Sequence, residues 1–137
     1  MNDLFKNKGI TTSGILHLTP REAFELCQQG AILFDVREDF MGHFKTFDVK
    51  DLFFCPRSIL EENYLEIPRD KPLIFADAVG LRSKEAVLFL MGKGYELIAN
   101  MAGGLVEWER DGLPVKVDKS ENLTGSCMCM LRKRTKK

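Results

Sequence analysis

The sequence lacks any apolar run that approaches the roughly 18–20 residues needed to cross a bilayer as a helix. Its residues 1–9 are polar and of mixed charge, without the apolar core of a secretory signal peptide. These two absences argue against a membrane protein and against a secreted one. We therefore expect a cytoplasmic location and no membrane partner.

The sequence also lacks an excess of charge of either sign, since Lys plus Arg and Asp plus Glu both number 20. This balance gives no reason to expect a nucleic-acid partner. It conceals one asymmetry, because residues 131–137 carry five positive charges and the other 130 residues carry a formal net charge of −5. The chain is thus an acidic body followed by a short basic end.

Cysteine is scarce, and a reducing cytoplasm makes structural disulfides unexpected among the four that are present. Cys27 lies on the apolar stripe of a predicted helix, where a free cysteine behaves as a small hydrophobic residue. Cys55 ends an apolar strand and is also interpreted as structural. Cys127 and Cys129 are only two residues apart, a spacing that favours chemistry over a structural role.

What is present is an alternation of short apolar strands with helical patterns, which is typical of a parallel α/β sheet in one domain. The predicted strands are Ile15–Leu18, Ala31–Val36, Leu52–Cys55, Pro72–Ala76 and Glu96–Ala99. The predicted helices begin at Pro20, behind a capping box of Thr19 and Glu22, and near Ser58, Ser83 and Leu105. We predict an α/β domain over residues 10–116, with a central five-stranded, mainly parallel sheet and helices on both faces. Residues 117–137 are predicted to form a flexible, basic, cysteine-containing tail.

The segment Asp77–Ser83 follows one of these buried strands and opens a helix. In open α/β sheets, ligands bind beyond the carboxyl ends of the strands. Successive backbone N–H groups and a helix N-terminus at such a place form a cradle for negative charge. The sequence therefore directs attention to this loop.

Several stretches, in this order and spacing, resemble the rhodanese (sulfurtransferase) family over roughly residues 14–115. Ile32–Glu38 is similar to the family's (L/V)IDVRE strand and turn, and Gly42-His43 is similar to its GH. Pro68–Ile74 is similar to the family's approach to the active loop, and Ala102–Trp108 is similar to its GG…W turn and helix. The resemblance implies the rhodanese-like fold. His43 matches a position that shapes the domain, and His17, in a strand, is likewise expected to be structural.

The family's active loop reads C-x-x-G-x-R-S, and here Gly80, Arg82 and Ser83 fit while Asp77 stands at the cysteine position. In the family that cysteine accepts a sulfane sulfur as a persulfide, which a carboxylate oxygen cannot form. The resemblance therefore implies a domain that is inactive as a loop-cysteine sulfurtransferase and acts as a binding or regulatory module. No catalytic residue, cofactor or metal is predicted with this loop.

Asp77 and Arg82 each have an expected structural role in the loop. Asp77 is expected to accept hydrogen bonds from the loop amides, whereas a role as phosphoryl nucleophile is disfavoured because no second carboxylate lies in the loop. Arg82 is expected to tie the loop to a neighbouring carboxylate such as Asp35 or Glu38, with anion binding as the alternative. The spacing from Asp77 to Arg82 also matches the C-x5-R loop of phosphatases and arsenate reductases, whose activity is predicted to be absent here.

The pair Cys127 and Cys129 supports an alternative function. Its basic flank favours the thiolate form, so the pair could carry a sulfane sulfur, act as a redox couple or, with Met128 and Met130, bind Cu(I). It could equally have no specific role. The alternative to a binding module is therefore a sulfur-carrier or thiol-redox protein, with a sulfur donor or a protein as its partner.

Overall fold

The computed structural model of the chain describes residues 4–38 and 45–117. Its strands are β1 (Ile10–Thr12), β2 (Ile15–Leu18), β3 (Ile32–Asp35), β4 (Lys45–Phe47), β5 (Leu52–Phe54), β6 (Leu73–Ala76), β7 (Ile98–Met101) and β8 (Val115–Val117). Its helices are α1 (Pro20–Gln28), α2 (Leu60–Asn63), α3 (Leu81–Gly92) and α4 (Gly104–Arg110), with 3₁₀ turns at Arg57–Ile59 and Tyr64–Glu66. The predictions for Gly42, His43, Cys127 and Cys129 lie outside the described residues.

Six strands form the main sheet, in the order β1-β2-β7-β6-β3-β5. The four pairings β2–β7, β7–β6, β6–β3 and β3–β5 are parallel. Phe34 of β3, Phe75 of β6 and Asn100 of β7 lie side by side in this register. The predicted mainly parallel sheet is therefore confirmed, and its five predicted strands correspond to β2, β3, β5, β6 and β7. The structure adds one antiparallel strand at its edge, β1, which pairs with β2.

Both faces of the central strands β3 and β6 are covered, which explains why these strands form nearly continuous apolar runs rather than alternating ones. Along β6, Leu73 and Phe75 point to one face and Ile74 and Ala76 to the other. The first face packs against α2 and α3, and the second against α1 and α4. The prediction of helices on both faces is confirmed.

The start of α1 shows how directly local sequence specifies local structure. The Thr19 hydroxyl accepts the N–H of Glu22 at 3.1 Å, and the Glu22 carboxylate accepts the N–H of Thr19 at 2.9 Å. This is the predicted capping box, with Pro20 as the first helical residue. The backbone hydrogen bond from Thr19 lowers the pKa of Glu22, because it stabilises the charged carboxylate.

Some boundaries differ from the prediction. β7 begins at Ile98 rather than Glu96, and Val117 belongs to β8, which pairs antiparallel with β4 in a separate two-stranded sheet. A short, partly exposed strand such as β8 has little periodicity, and its partner lies about 70 residues earlier, so its sequence alone gives no signal. No helix within the described ranges combines the length and apolar character that a membrane crossing requires.

A buried ion pair fixes the carboxyl end of β3. The Asp35 carboxylate is fully buried and accepts from the Arg37 guanidinium at 2.8 Å, and also from the Arg37 backbone N–H at 3.1 Å. The same guanidinium donates to the carbonyl oxygen of Lys45 at 2.9 Å. The pair thereby links the end of the main sheet to β4.

We expect Arg37→Met to lower the free energy of unfolding by about 3–5 kcal/mol, because it leaves the Asp35 carboxylate buried without its counter-charge. Urea denaturation monitored by circular dichroism measures this. The matched control is Lys45→Met, which removes a partly exposed ion pair to Glu109 and should cost at most about 1 kcal/mol. Equal losses in the two variants would contradict the structural role given to the buried pair.

Candidate functional site

The candidate site lies where β6 and β7 end, at the carboxyl edge of the parallel sheet. Asp77 follows β6 directly, and the turn Ala102–Gly103 follows β7. The backbone of the loop from Asp77 to Ser83 brings the predicted residues Asp77, Gly80 and Ser83 together around the start of α3. This is the edge at which open α/β sheets place their ligands.

The Asp77 carboxylate is almost fully buried, with 3% of the residue exposed, and it organises the loop. One carboxylate oxygen accepts the N–H of Gly80 through a short hydrogen bond, and the other accepts the N–H of Arg82 at 2.9 Å. The Ser83 hydroxyl lies 3.4 Å from the first oxygen. Asp77 thus accepts hydrogen bonds from the loop N–H groups, as predicted. One of these donors belongs to the second residue of α3, where the helix dipole also favours a negative charge.

Two glycines allow the loop to pack against the turn after β7. Gly80 has a left-handed φ of +96°, and a Cβ there would lie 3.0 Å from the backbone nitrogen of Gly103. Gly104 has a φ of +58° and no room for a Cβ, because that atom would overlap the carbonyl oxygen of Asp77. The N–H of Leu105 donates to that same oxygen at 2.8 Å, so the loop and the first turn of α4 form one rigid unit.

Behind the loop lies a buried polar chain that the sequence did not reveal. The Ser83 hydroxyl is 2.5 Å from the Asn100 side-chain oxygen, and the Asn100 amide nitrogen is 3.2 Å from His17 Nδ1. The same amide lies 3.4 Å from the Gly80 carbonyl oxygen. An amide in the middle of the otherwise apolar β7 was the available signal, since a buried polar group requires partners. His17 has the structural contact expected of it.

Arg82 differs from the prediction. Its side chain is exposed, and within residues 4–38 and 45–117 its guanidinium makes no ion pair or hydrogen bond. The expected tie to Asp35 or Glu38 is wrong, because Asp35 is paired with Arg37 and Glu38 accepts the N–H of Ser58 at 2.8 Å. Both carboxylates are thus satisfied by residues at the ends of β3 and β5.

The two cysteines in the described part of the chain are buried and not disulfide-bonded. Burial raises the pKa of the Cys27 thiol to about 12, with a smaller contribution from the negative charge of Asp51. Cys27 is therefore the inert hydrophobic residue that was predicted, and Cys55 is fully shielded from solvent. Neither provides a reactive thiolate to this site. The described residues also include no group of three His, Cys, Asp or Glu side chains placed to hold a metal ion.

Comparison with known proteins agrees with this architecture. The model of the rhodanese-like domain family matches residues 19–111, which include the whole loop. The chain belongs to the rhodanese-like domain family. The predicted resemblance and fold are thereby confirmed.

Among similar proteins is the thiosulfate sulfurtransferase GlpE of Haemophilus influenzae strain PittEE, 32% identical over 102 residues, which are 72% of this chain and 91% of the relative. A rhodanese-related protein of Thermoplasma volcanium is 30% identical, with a TM-score of 0.63 over 72% of this chain and 95% of its own. A thiosulfate sulfurtransferase of Pseudomonas aeruginosa is 26% identical, with a TM-score of 0.64 over 76% of this chain and 20% of its own. This rhodanese-like domain therefore has sulfurtransferase homologues, one of which is a much longer chain.

We expect Gly104→Ala to lower the free energy of unfolding by more than an alanine costs at a left-handed φ where its Cβ has open space. The control is Gly112→Ala, at φ +75° with open space around its Cβ, which should cost about 1–2 kcal/mol for the backbone conformation. Gly104→Ala should cost about 1–3 kcal/mol more, because its methyl group must push the Asp77 carbonyl away. Urea denaturation of both variants gives the difference. Amide exchange at Leu105 should accelerate only in Gly104→Ala, and equal behaviour would refute the close contact.

Proposed function

We propose that this rhodanese-like domain does not carry sulfur on its loop and acts as a binding or regulatory module. In this proposal Asp77 occupies the position of the sulfur-accepting cysteine of its sulfurtransferase relatives. The supporting observation is that the Asp77 carboxylate accepts the backbone N–H groups of Gly80 and Arg82. The donors that would stabilise a bound thiolate are thereby used by a group that cannot accept a sulfur atom.

The chemistry of sulfur transfer explains why this substitution matters. A sulfurtransferase nucleophile attacks as a thiolate and holds the transferred sulfur through an S–S bond. Asp77 has no sulfur, and its negative charge opposes the approach of an anion such as thiosulfate. The burial of Cys27 and Cys55 leaves no reactive thiol in the described residues to take its place. A cytoplasmic location belongs to the same proposal, and the free, buried thiols of Cys27 and Cys55 are compatible with it.

We expect the purified protein to form no thiocyanate from thiosulfate and cyanide, because its loop has no acceptor for the sulfur. The assay is run at high protein concentration and long times, beside a thiosulfate sulfurtransferase as a positive control. Turnover that Asp77→Ala abolishes would end the proposal. Turnover that survives Asp77→Ala but not removal of the tail thiols would support the alternative below.

We expect Asp77→Cys, made in a Cys127→Ser/Cys129→Ser background, to introduce a thiol with a pKa below the usual value of about 8.5. The reason is that the N–H groups of Gly80 and Arg82 would stabilise its thiolate. The pH dependence of iodoacetamide alkylation measures this pKa. The control is Ala78→Cys in the same background. This variant places a thiol in the same loop, at a position whose side chain does not accept the N–H groups of Gly80 and Arg82. Identical profiles for the two thiols would show that the loop provides no anion cradle.

The second candidate is a sulfur-carrier or thiol-redox protein that uses Cys127 and Cys129. The observation in its favour is that the described cysteines are buried, so this pair holds the remaining thiols of the chain. Five basic residues follow the pair and favour its thiolate form. In this alternative one thiolate of the pair takes a sulfane sulfur from a persulfide donor and becomes a persulfide, while the donor leaves as a thiolate. The second thiolate then attacks the inner sulfur, which closes a Cys127–Cys129 disulfide and releases the outer sulfur as hydrosulfide, and a small-molecule thiol reduces the disulfide again.

Incubation with a persulfide donor should, under this alternative, add sulfur to the peptide that contains Cys127 and Cys129. Mass spectrometry of the intact and proteolysed protein locates each added sulfur atom. The Cys127→Ser/Cys129→Ser variant should load none. If that variant loads as much sulfur as the natural sequence, the alternative fails.

A further inference from the structure

Apolar side chains surround the loop on its outer side. Val79, Leu81 and Val106 are 51%, 67% and 46% exposed, although most large apolar residues within 4–38 and 45–117 are buried. Isolated exposed apolar residues are ordinary, but a cluster of them marks a contact surface.

The backbone places all three of them in or beside the loop. Val79 lies in the loop and Leu81 is the first residue of α3, while Val106 lies in the first turn of α4. The N–H of Val106 donates to the Ala78 carbonyl oxygen at 3.0 Å, which holds that turn against the loop. Leu88, 48% exposed, follows Leu81 by seven residues and extends the apolar side along α3. Val79, Leu81, Leu88 and Val106, with the two cations described next, are here named the loop-mouth surface.

Exposed charge of both signs lies on this surface, since the side chains of Glu85 and Glu107 are 62% and 40% exposed, but the charge that has no partner in the described residues is positive. Arg82 and Lys84 are exposed, and their cationic groups meet no acid within the described residues. The acids nearby are used elsewhere, because Glu107 pairs with Arg110 at 2.8 Å and Glu85 lies 3.8 Å from Arg57. Asp77 is buried and hydrogen-bonded to the loop. An occupant would therefore have to supply negative charge.

We infer that the loop-mouth surface docks an acidic segment of a partner protein whose carboxylates face Arg82 and Lys84 and whose apolar side chains cover Leu81 and its neighbours. This inference rests on the proposed binding function and specifies the chemistry of the partner. Apolar contact provides the buried area, and charge complementarity sets the orientation and the association rate.

Other occupants fit less well. A free anion would contact Arg82 but would leave the apolar side chains uncovered, and Asp77 already accepts the loop N–H groups that could hold it. A second copy of the chain in a two-fold dimer would bring the same surface, and hence the same cations, against itself. A single nucleic-acid strand would meet aliphatic side chains where stacking needs aromatic rings.

The test is a selection of phage-displayed random 12-residue peptides on the full-length protein. We expect enrichment of peptides that combine Asp or Glu with Leu, Ile or Val. The strongest peptide is then synthesised, and its Kd is measured by fluorescence anisotropy. Arg82→Glu and Leu81→Ser should each weaken binding by about tenfold or more.

The control variants are Lys71→Glu and Leu65→Ser, which change an exposed cation and an exposed leucine that precede β6, at the opposite end of the sheet. Both should bind the peptide as tightly as the natural sequence does. Circular dichroism confirms that each variant is folded. Inorganic phosphate is titrated as a competitor of the bound peptide. If phosphate displaces the peptide completely at the concentration at which phosphate itself binds the protein, the surface is an anion site instead.

The inference is overturned if no peptide is enriched, if the enriched peptides are basic or lack charge, or if Arg82→Glu and Leu81→Ser bind as tightly as the controls. None of these results affects the proposal that the loop carries no sulfur, which depends on the thiosulfate assay. Conversely, thiosulfate turnover at Asp77 would end the proposed function even if acidic peptides bind. The two failures are therefore distinguishable.

Discussion

The hydrogen bonds between the Asp77 carboxylate and the loop N–H groups are the constraint on which the site depends. They define the path from β6 into α3, since the carboxylate accepts from the residue before the helix, Gly80, and from its second residue, Arg82. Because the carboxylate faces inward, the Arg82 side chain is left outside with no acid beside it in the described residues. A single buried anion thus determines both the interior order of the loop and the charge that its outer surface presents.

The fold holds that anion in place from three sides. Asp77 follows β6 and therefore lies at the carboxyl edge of the sheet, where the Gly103-Gly104 turn packs against the backbone of the loop. The Ser83 hydroxyl contacts both the Asp77 carboxylate and the Asn100 side chain. Each contact requires a residue with little freedom to vary, either a glycine without room for a Cβ or a buried polar group that needs its partner. The loop is therefore rigid for reasons that are independent of any reaction it performs.

Sequence reasoning succeeded where the signal was local. The apolar run at Leu73–Ala76, the capping box at Thr19 and the loop that follows β6 were all predictable, because burial and capping depend on residues within a few positions of one another. It failed where two distant segments had to be known together. β4 and β8 pair across about 70 residues, Asn100 gains its role only beside Ser83, and the partner assigned to Arg82 was already taken by Arg37.

The same loop geometry can serve two outcomes that differ in one side chain. Backbone N–H donors at the start of a helix stabilise any compact anion, whether a thiolate or a carboxylate. A thiolate there can be exchanged, because its sulfur forms and breaks S–S bonds, whereas a carboxylate stabilised there remains as it is. If Asp77 takes the cysteine's place as proposed, the N–H groups of Gly80 and Arg82 stabilise the loop itself and no reacting group. The loop shape that sulfurtransferases use for chemistry then becomes a rigid surface. A rigid surface suits recognition of a partner, because little conformational freedom remains to be lost on binding.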